Sequence, residues 1–504
     1  MSVLVSADAV RTTEGILGTA VLVEGERVVA VGDREHLLVP GVTEERYPGS
    51  VIVPGLVDTH IHPVGIAGLA AGADLHDAGD LAGVVDALRS VEPVAGSVVG
   101  HRLDEHRLDE RRLPTRLDLD AVDHPVLAYR VCGHVAVANT AALALAGIDR
   151  STVDPPGGAL DRDDLGRPTG VLREEAIPLV ADRLAEPTGS LGDRLLTTLL
   201  RMRSEGLTRL GAILSAADGP WCRAGDELDA AVEVGRDLPV AIHAYIATTD
   251  RTNLEAAAET IRAAGTERLR FAGVKLFADG SYGGSTAAMR TGEGLVRMVA
   301  DRDRALAETA LALGGDVAIH AIGDGAVADV LDLFEDLIEA GTDPRRLRME
   351  HASTSPDDLI ERMATLGIGV GIQPAFVSSE YDWLPGALGP HAADAHRFGS
   401  LHRAGVRLGG GSDSPVEPSD PRWGMRWARE RAGFLPEEAV DGATALGWWT
   451  SGAHDLLGID PPLEPGSPAD LTILSADPTT TAAADLGTVD VVSVWTSGAP
   501  QPIA

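Results

Sequence analysis

The sequence predicts an α/β fold: a (β/α)8 TIM barrel, a small β-sandwich domain formed by both termini, and a long insertion after the first barrel strand. Three observations predict it. From about Gly206 onward, short apolar runs alternate with helical patterns, the rhythm of a parallel sheet built from repeated βα units. Both ends of the chain carry strand-like runs separated by turns. Between the first and second barrel strands lies far more chain than one crossover helix requires.

Taken in order, residues 1–52 read as short strands and turns, with runs at 19–23 and 27–31, and form the N-terminal part of the β-sandwich. The first barrel strand is expected at 51–62 and opens a barrel domain spanning 53–455. The insertion, at about 67–200, holds an Arg/Asp-rich stretch at 101–116, an apolar run at 125–132, and a turn-rich segment with Pro155-Pro156-Gly157-Gly158. Within it, Arg102-Leu-Asp-Glu-His106 is echoed once by Arg107-Leu-Asp-Glu-Arg111, too little for a solenoid. Seven more barrel strands follow at 208–214, 239–246, 273–277, 316–322, 347–351, 367–372 and 406–410. Amphipathic stretches at 226–236, 253–264, 304–313, 326–340 and 357–366 supply helices between them. Residues 456–504, with strands at 469–474 and 489–495, return to the terminal β domain.

Composition narrows the function classes. Hydrophobic residues make up 44% of 504 and charged residues 23%, a globular composition. A net charge of −34 repels nucleic acid and anionic membranes, so neither is expected as a partner. A small-molecule substrate is expected, with a homodimer as the ordinary oligomer. Two cysteines, Cys132 and Cys222, stand outside any metal-type spacing, and no disulfide framework is indicated. The first residues lack a basic stretch followed by an apolar one, and no apolar run reaches membrane-spanning length; a cytoplasmic protein is expected.

The most informative residue is Lys275, the single lysine among 42 basic residues. Arginine makes surface ion pairs at least as well, so the lysine points to chemistry a guanidinium cannot perform. A desolvated amine can act as a nucleophile, form a Schiff base, or take up carbon dioxide as a carbamate.

Its neighbours in the predicted fold carry chemistry too. Val57-Asp-Thr-His60-Ile-His62 ends the first strand, and residues two apart on a strand face the same side. His320 ends the fifth strand, His351 the sixth, and Asp413 follows the eighth. Barrel active sites are built at those strand ends. Any one of these is most often a satisfied core residue, but six together supply four imidazoles, a carboxylate and an amine able to become a carbamate. That set suits two divalent ions such as Zn²⁺.

At this point the sequence resembles the amidohydrolase superfamily, in the branch of YtcJ-like and N-substituted formamide deformylase-like hydrolases. The resemblance covers essentially the whole chain. It rests on Pro54-Gly-Leu-Val-Asp-Thr-His-Ile-His62, Val274-Lys-Leu-Phe-Ala-Asp-Gly-Ser281, His320-Ala-Ile-Gly-Asp-Gly325, Glu350-His351, Gly411-Ser-Asp-Ser-Pro-Val416 and, within the insertion, Gly133-His-Val-Ala-Val-Ala-Asn139. It implies that His60, His62 and Asp413 bind a more buried metal, and His320 and His351 a more exposed one. It also implies that carbamylated Lys275 bridges the two ions. Asp413 is then the catalytic residue, taking the proton of an attacking hydroxide and passing it to the leaving amine. The loop after Asp279-Gly-Ser departs from the family's leucine and arginine, reading Tyr282-Gly-Gly-Ser-Thr286.

Candidate substrate contacts are His134 and Asn139 from the insertion, Tyr282 from that loop, and Gln373 after strand seven. His243 on the third strand is a buried histidine at least as readily as a pocket residue. Asp279 and Asp324, each followed by glycine, read as turn formers. The paired carboxylates Asp104-Glu105 and Asp109-Glu110 are interspersed with arginines and read as a solvated face. The expected activity is metal-dependent hydrolysis of a non-peptide carbon–nitrogen bond, an amide. The alternatives are a deaminase or cyclic-amide hydrolase on the same scaffold, or a metal-free binding protein that kept only the fold.

Overall fold

The computed structural model describes residues 2–69, 72–184, 190–216 and 226–502. Cys222 lies outside the described residues. The eight parallel barrel strands follow chain order around the sheet: β1 (Leu56–Ile61), β2 (Leu207–Ser215), β3 (Ala241–Ala247), β4 (Leu269–Phe277), β5 (Asp316–Ala321), β6 (Leu347–His351), β7 (Gly369–Ile372) and β8 (Arg407–Gly410). The ends of the sheet meet where Thr59 Oγ1 of β1 donates to Gly410 O of β8 at 3.0 Å, and where Asp413 N donates to His60 O at 2.8 Å. The helices Arg251–Ala263, Ala300–Ala312, Asp324–Glu339 and Asp357–Leu366 lie between successive strands, each burying one apolar face. Local signals set their ends. Asp250 caps the first by accepting from Thr252 N and Asn253 N, and Gly367, at φ +71°, terminates the last. Gly367 had been expected inside strand seven, which starts two residues later.

The stretch 51–62, expected as one barrel strand, is two. Thr43–Pro54 belongs to the terminal sheet, and the chain enters β1 only after Gly55. A Cβ on Gly55 would lie 2.5 Å from Thr208 Oγ1, so only glycine passes between the two sheets here. The expected domain boundary at 52/53 therefore falls inside the strand Thr43–Pro54. Thr43–Pro54 pairs in parallel with Ser2–Thr12 and antiparallel with Leu471–Leu474, which joins the two ends of the chain in one seven-stranded sheet. Ser2–Thr12, Gly15–Glu24 and Arg27–Gly32 lie on one side of it, Val491–Thr496 and Ala499–Gln501 on the other.

The insertion is a folded unit with its own sheet, which its sequence did not disclose. Six strands pair in the order Gly158–Arg162, Pro168–Glu174, Val135–Ala138, Val126–Arg130, Val98–Leu103, Ala73–Asp74. Alternate residues of its strands face opposite sides. Val126, Ala128, Val135 and Val137 enter one apolar cluster, while Leu127, Ala136 and Ala138 enter another. A sheet covered on both faces shows continuous apolar runs without the alternation of a half-exposed strand, so the run at 125–132 gave little sign of partners.

Terminal sheet and barrel are joined by buried polar contacts. Thr472 Oγ1 accepts from Leu56 N at 3.3 Å and donates to Gly206 O at 2.7 Å, linking the C-terminal strand to the starts of β1 and β2. Thr472→Val, which keeps the shape and removes both bonds, is expected to destabilise the protein by about 1–3 kcal/mol. The loss is to be read as a lower denaturant midpoint at unchanged slope.

Candidate active site

All six candidate ligands line one cavity of about 460 Å³ at the C-terminal ends of the barrel strands, between the barrel and the insertion. Strand direction accounts for two of them. Lys275, which shares its face of β4 with the cavity-lining Phe277 two residues on, reaches the cavity, as does His320 near the end of β5. His351 and Asp413 arrive differently, through backbones at φ +73° and +54°, conformations that non-glycine residues adopt at a cost of about 1–3 kcal/mol. His351 is the last residue of β6, and Asp413 lies beyond the end of β8.

The donors crowd together. Ligand atoms of His60, His351 and Asp413 lie within 4.8 Å of one another. Asp413 Oδ1 is 3.1 Å from His62 Nε2 and 3.3 Å from His60 Nε2, and Lys275 Nζ is 3.3 Å from the same His60 nitrogen. His320 stands outside the tight group of three, its ring centroid 4.5 Å from that of His351.

Three imidazoles are held from behind. His60 Nδ1 lies 2.9 Å from Glu350 Oε2, His320 Nε2 lies 2.8 Å from Gly280 O, and His351 Nδ1 lies 2.7 Å from Gln373 Oε1. Each acceptor requires the facing nitrogen to carry the hydrogen, so the second nitrogen of each ring is the one that can offer a lone pair to a metal. That is the arrangement of histidines that hold a metal. Three such rings, His62 and a carboxylate form a donor set that fits a divalent ion.

Electrostatics reinforce the pattern. Burial lowers the His320 and His351 imidazoles well below their ordinary range, so both are neutral donors. Burial opposes ionisation of Glu350, but the Arg348 guanidinium, 2.6 Å away, and His60 outweigh it and bring the carboxyl down to about 2. Burial of Lys275, whose exposure is 1%, brings its amine down to about 8.

The four expected substrate contacts divide. His134 lines the cavity, its ring 5.2 Å from that of His320. Asn139 does not. It caps the helix Thr140–Leu145, its Oδ1 accepting from Ala142 N and Val126 N and its Nδ2 donating to His124 O, so no polar atom is left for a ligand. Gln373 is likewise occupied, between His351 Nδ1 and Gly371 O, and positions a histidine from inside the wall. Tyr282 is turned away from the cavity lining, its hydroxyl 2.6 Å from Thr354 Oγ1. In the last two cases the sequence placed the residue near the mouth but could not show that another side chain had claimed its polar atom.

The sequence reading gave no role to Glu350, Arg348 or Glu174, and read Asp279 as a turn former. Arg348 and Glu350 had a signal: opposite charges two apart on a central barrel strand share the inward face and can pair there. Asp279, taken as a turn former, is fully buried. It accepts from Ile322 N, Gly323 N and Ala288 N at 2.8–2.9 Å, tying the loops after β4 and β5 beside His320. Asp324 accepts from Arg290 N at 2.9 Å, a local structural bond.

Fold and site together define the class, a (β/α)8-barrel hydrolase with a histidine-rich centre. Residues 48–501 match the amidohydrolase family, and the chain belongs to it. It is 29% identical over 496 residues to YtcJ of Bacillus subtilis (strain 168), covering 92% of each chain. It is 27% identical over 512 residues to N-substituted formamide deformylase of Arthrobacter pascens, covering 95% of this chain and 94% of that one. Among solved structures, an uncharacterized metal-dependent hydrolase from Pyrococcus furiosus superposes with a TM-score of 0.73 at 27% identity, over 95% of this chain and all of that one.

His243 lies away from this cavity, buried on β3, with Nε2 unpartnered among the described residues. Burial, reinforced by Arg209 and Arg270, lowers its imidazole to about 3. The unfolded chain, with an ordinary histidine near 6.5, therefore binds one more proton than the folded one between pH 6.5 and 3, and the folded state loses stability as pH falls through that window. His243→Gln is expected to reduce the slope of stability against pH there by about 1.4 kcal/mol per pH unit, measured by urea unfolding at a series of pH values.

Proposed function

We propose that this chain hydrolyses a non-peptide carbon–nitrogen bond, an amide, with a pair of divalent ions, zinc by donor chemistry. His60, His62 and Asp413 would hold one ion, His320 and His351 the other, and Lys275, carbamylated by carbon dioxide, would bridge them. The observation that carries the reading is convergence: six donor residues from five separate strand ends line one cavity, and three of the four histidines are oriented by an acceptor behind the ring. The family and the relatives named for hydrolysis of an amide bond or for metal dependence support it.

Ions bound there supply a water of near-neutral pKa and polarise the scissile carbonyl. The chain's own residues do the rest. Asp413 takes the proton of the attacking water and passes it to the leaving nitrogen. His60 and His62 keep Asp413 ionised against the effect of its burial, so its oxygens carry no proton of their own. Lys275 carries no surface role; a buried amine near 8 retains a neutral fraction at physiological pH, the form that reacts with carbon dioxide. Arginine stays protonated and cannot form that ligand. Much of the cavity wall is apolar, with Leu69, Val98, Leu184, Leu191 and Val416 in the lining beside charged groups such as Arg102 and Arg130, which suits a small substrate with an apolar substituent.

Screening purified protein against N-substituted amides for released amine, with cyclic amides and aminopurines as the contrasting panel, tests the bond type. Release of ammonia alone would point to a deaminase. Lys275→Arg is expected to lower metal content from two equivalents to one or fewer, measured by plasma mass spectrometry, and to abolish turnover; two equivalents with full activity would exclude the carbamate bridge. Asp413→Asn is expected to reduce kcat about 10²–10⁴-fold, the range of a lost proton-transfer group.

A further inference from the structure

The insertion contributes two imidazoles to the cavity, His101 and His134, and a buried carboxylate controls the second. His134 precedes the strand Val135–Ala138, and its Nδ1 lies 2.8 Å from Glu174 Oε2. The two residues are also joined through the backbone, where Glu174 N donates to His134 O at 3.0 Å. Glu174 sits at φ +50° at the end of Pro168–Glu174, with its side chain 1% exposed. Two further donors reach it from the barrel loop after β4. Thr286 Oγ1 donates to Oε1 at 2.7 Å, and Arg297 Nη1 donates to Oε2 at 3.0 Å. Arg297 is itself fixed, bound to Glu175 at 2.5 Å and lying 5.0 Å over the Phe277 ring. The carboxylate packs against bare backbone as well. A Cβ on Gly280 would lie 2.1 Å from Glu174 Oε1, and the carbonyl of the same Gly280 orients His320.

This cluster determines which nitrogen of His134 carries the hydrogen. Burial alone would favour a protonated Glu174, but His134 and Arg297 hold its carboxyl below the ordinary range. An ionised carboxylate only accepts, so Nδ1 of His134 is the donor, and Nε2 is the ring nitrogen left to meet a ligand. That nitrogen belongs to a ring lining the cavity beside His320, and Nδ1 is the ring atom already engaged.

We propose that His134 Nε2 accepts a hydrogen bond from the N–H of the scissile amide, with Glu174 as its positioning residue, so that the enzyme selects amides that retain an N–H over fully N-substituted ones. The proposal rests on the amide-hydrolase reading. It makes the insertion part of the specificity apparatus: an amide with two N-substituents leaves the acceptor facing carbon, where it is desolvated without a partner.

The test compares N-monoalkyl formamides and acetamides with their N-methylated counterparts on the metal-replete enzyme. Wild type is expected to prefer the N–H amides by about 10–100-fold in kcat/KM, the scale of one buried hydrogen bond. His134→Leu is expected to lose that preference while keeping its metal content, and His134→Gln, whose side-chain oxygen can accept, to retain part of it. Equal turnover of both classes by wild type, an intact preference in His134→Leu, or loss of metal from that variant overturns the proposal. Imidazole ¹⁵N spectra give a readout independent of activity, with the His134 signals assigned by their absence from His134→Gln. The Nδ1–H signature is expected in wild type and a mixture of tautomers in Glu174→Gln; an unchanged signature in that variant overturns the positioning role. A wild type inert toward every amide but showing the tautomer shift overturns the amide reading instead, which keeps the two failures apart.

Discussion

A carboxylate with no exposed surface, Glu350, lies between the Arg348 guanidinium and the Nδ1 of His60, and the candidate site is built above it. An isolated buried carboxylate would cost several kcal/mol, and removing one member of a buried pair leaves the other uncompensated. Glu350 therefore needs both of its partners. Arg348 is anchored in turn, its guanidinium 4.4 Å over the Tyr245 ring and within reach of Thr59 O. Space for the carboxylate comes from β7, where a Cβ on Gly371 would lie 2.1 Å from Glu350 Oε2. Strands β1, β3, β6 and β7 thus meet through one charged group, and the consequence for chemistry is a His60 ring whose orientation and tautomer are set before any ligand arrives.

The same device recurs toward the mouth with different parts. Gly280 O holds His320, Gln373 holds His351, and Glu174 holds His134. Each is an acceptor on the far side of an imidazole, and each brings a further element of the fold to the centre. Asp279 stiffens the frame by accepting three backbone donors from the loops around His320. Glu174 extends it beyond the barrel: a residue of the insertion is clamped by Thr286 and Arg297 of a barrel loop, so the cover over the cavity and the cavity itself are held in one register.

Much of this was legible in the chain. The βα rhythm after Gly206 gave the barrel, and His60, His62, Lys275, His320, His351 and Asp413 could be placed at strand ends because their strands are short and bounded by turns. The single lysine singled out β4. Less legible were the limits of strands where two sheets share a continuous apolar stretch, as at Gly55, and the insertion's own sheet, whose two covered faces erase the alternation that marks a half-exposed strand. Gln373 was named for the right neighbourhood and Asn139 for a cavity it does not line; both serve as structural acceptors, since an amide looks the same in sequence whichever group it bonds.

By itself the sequence determined which chemical groups are present and the level on the barrel at which they appear, because residue type and strand period are local properties. Only the tertiary structure decided which nitrogen of each histidine is free, that Glu350 and Glu174 stand behind two of them, and that His134 alone of the four expected substrate contacts lines the cavity. Those facts depend on hydrogen bonds between residues far apart in the chain, Glu350 with His60 and Glu174 with Arg297 among them. Pairing of that kind is set by how the strands close on one another, which no local pattern records.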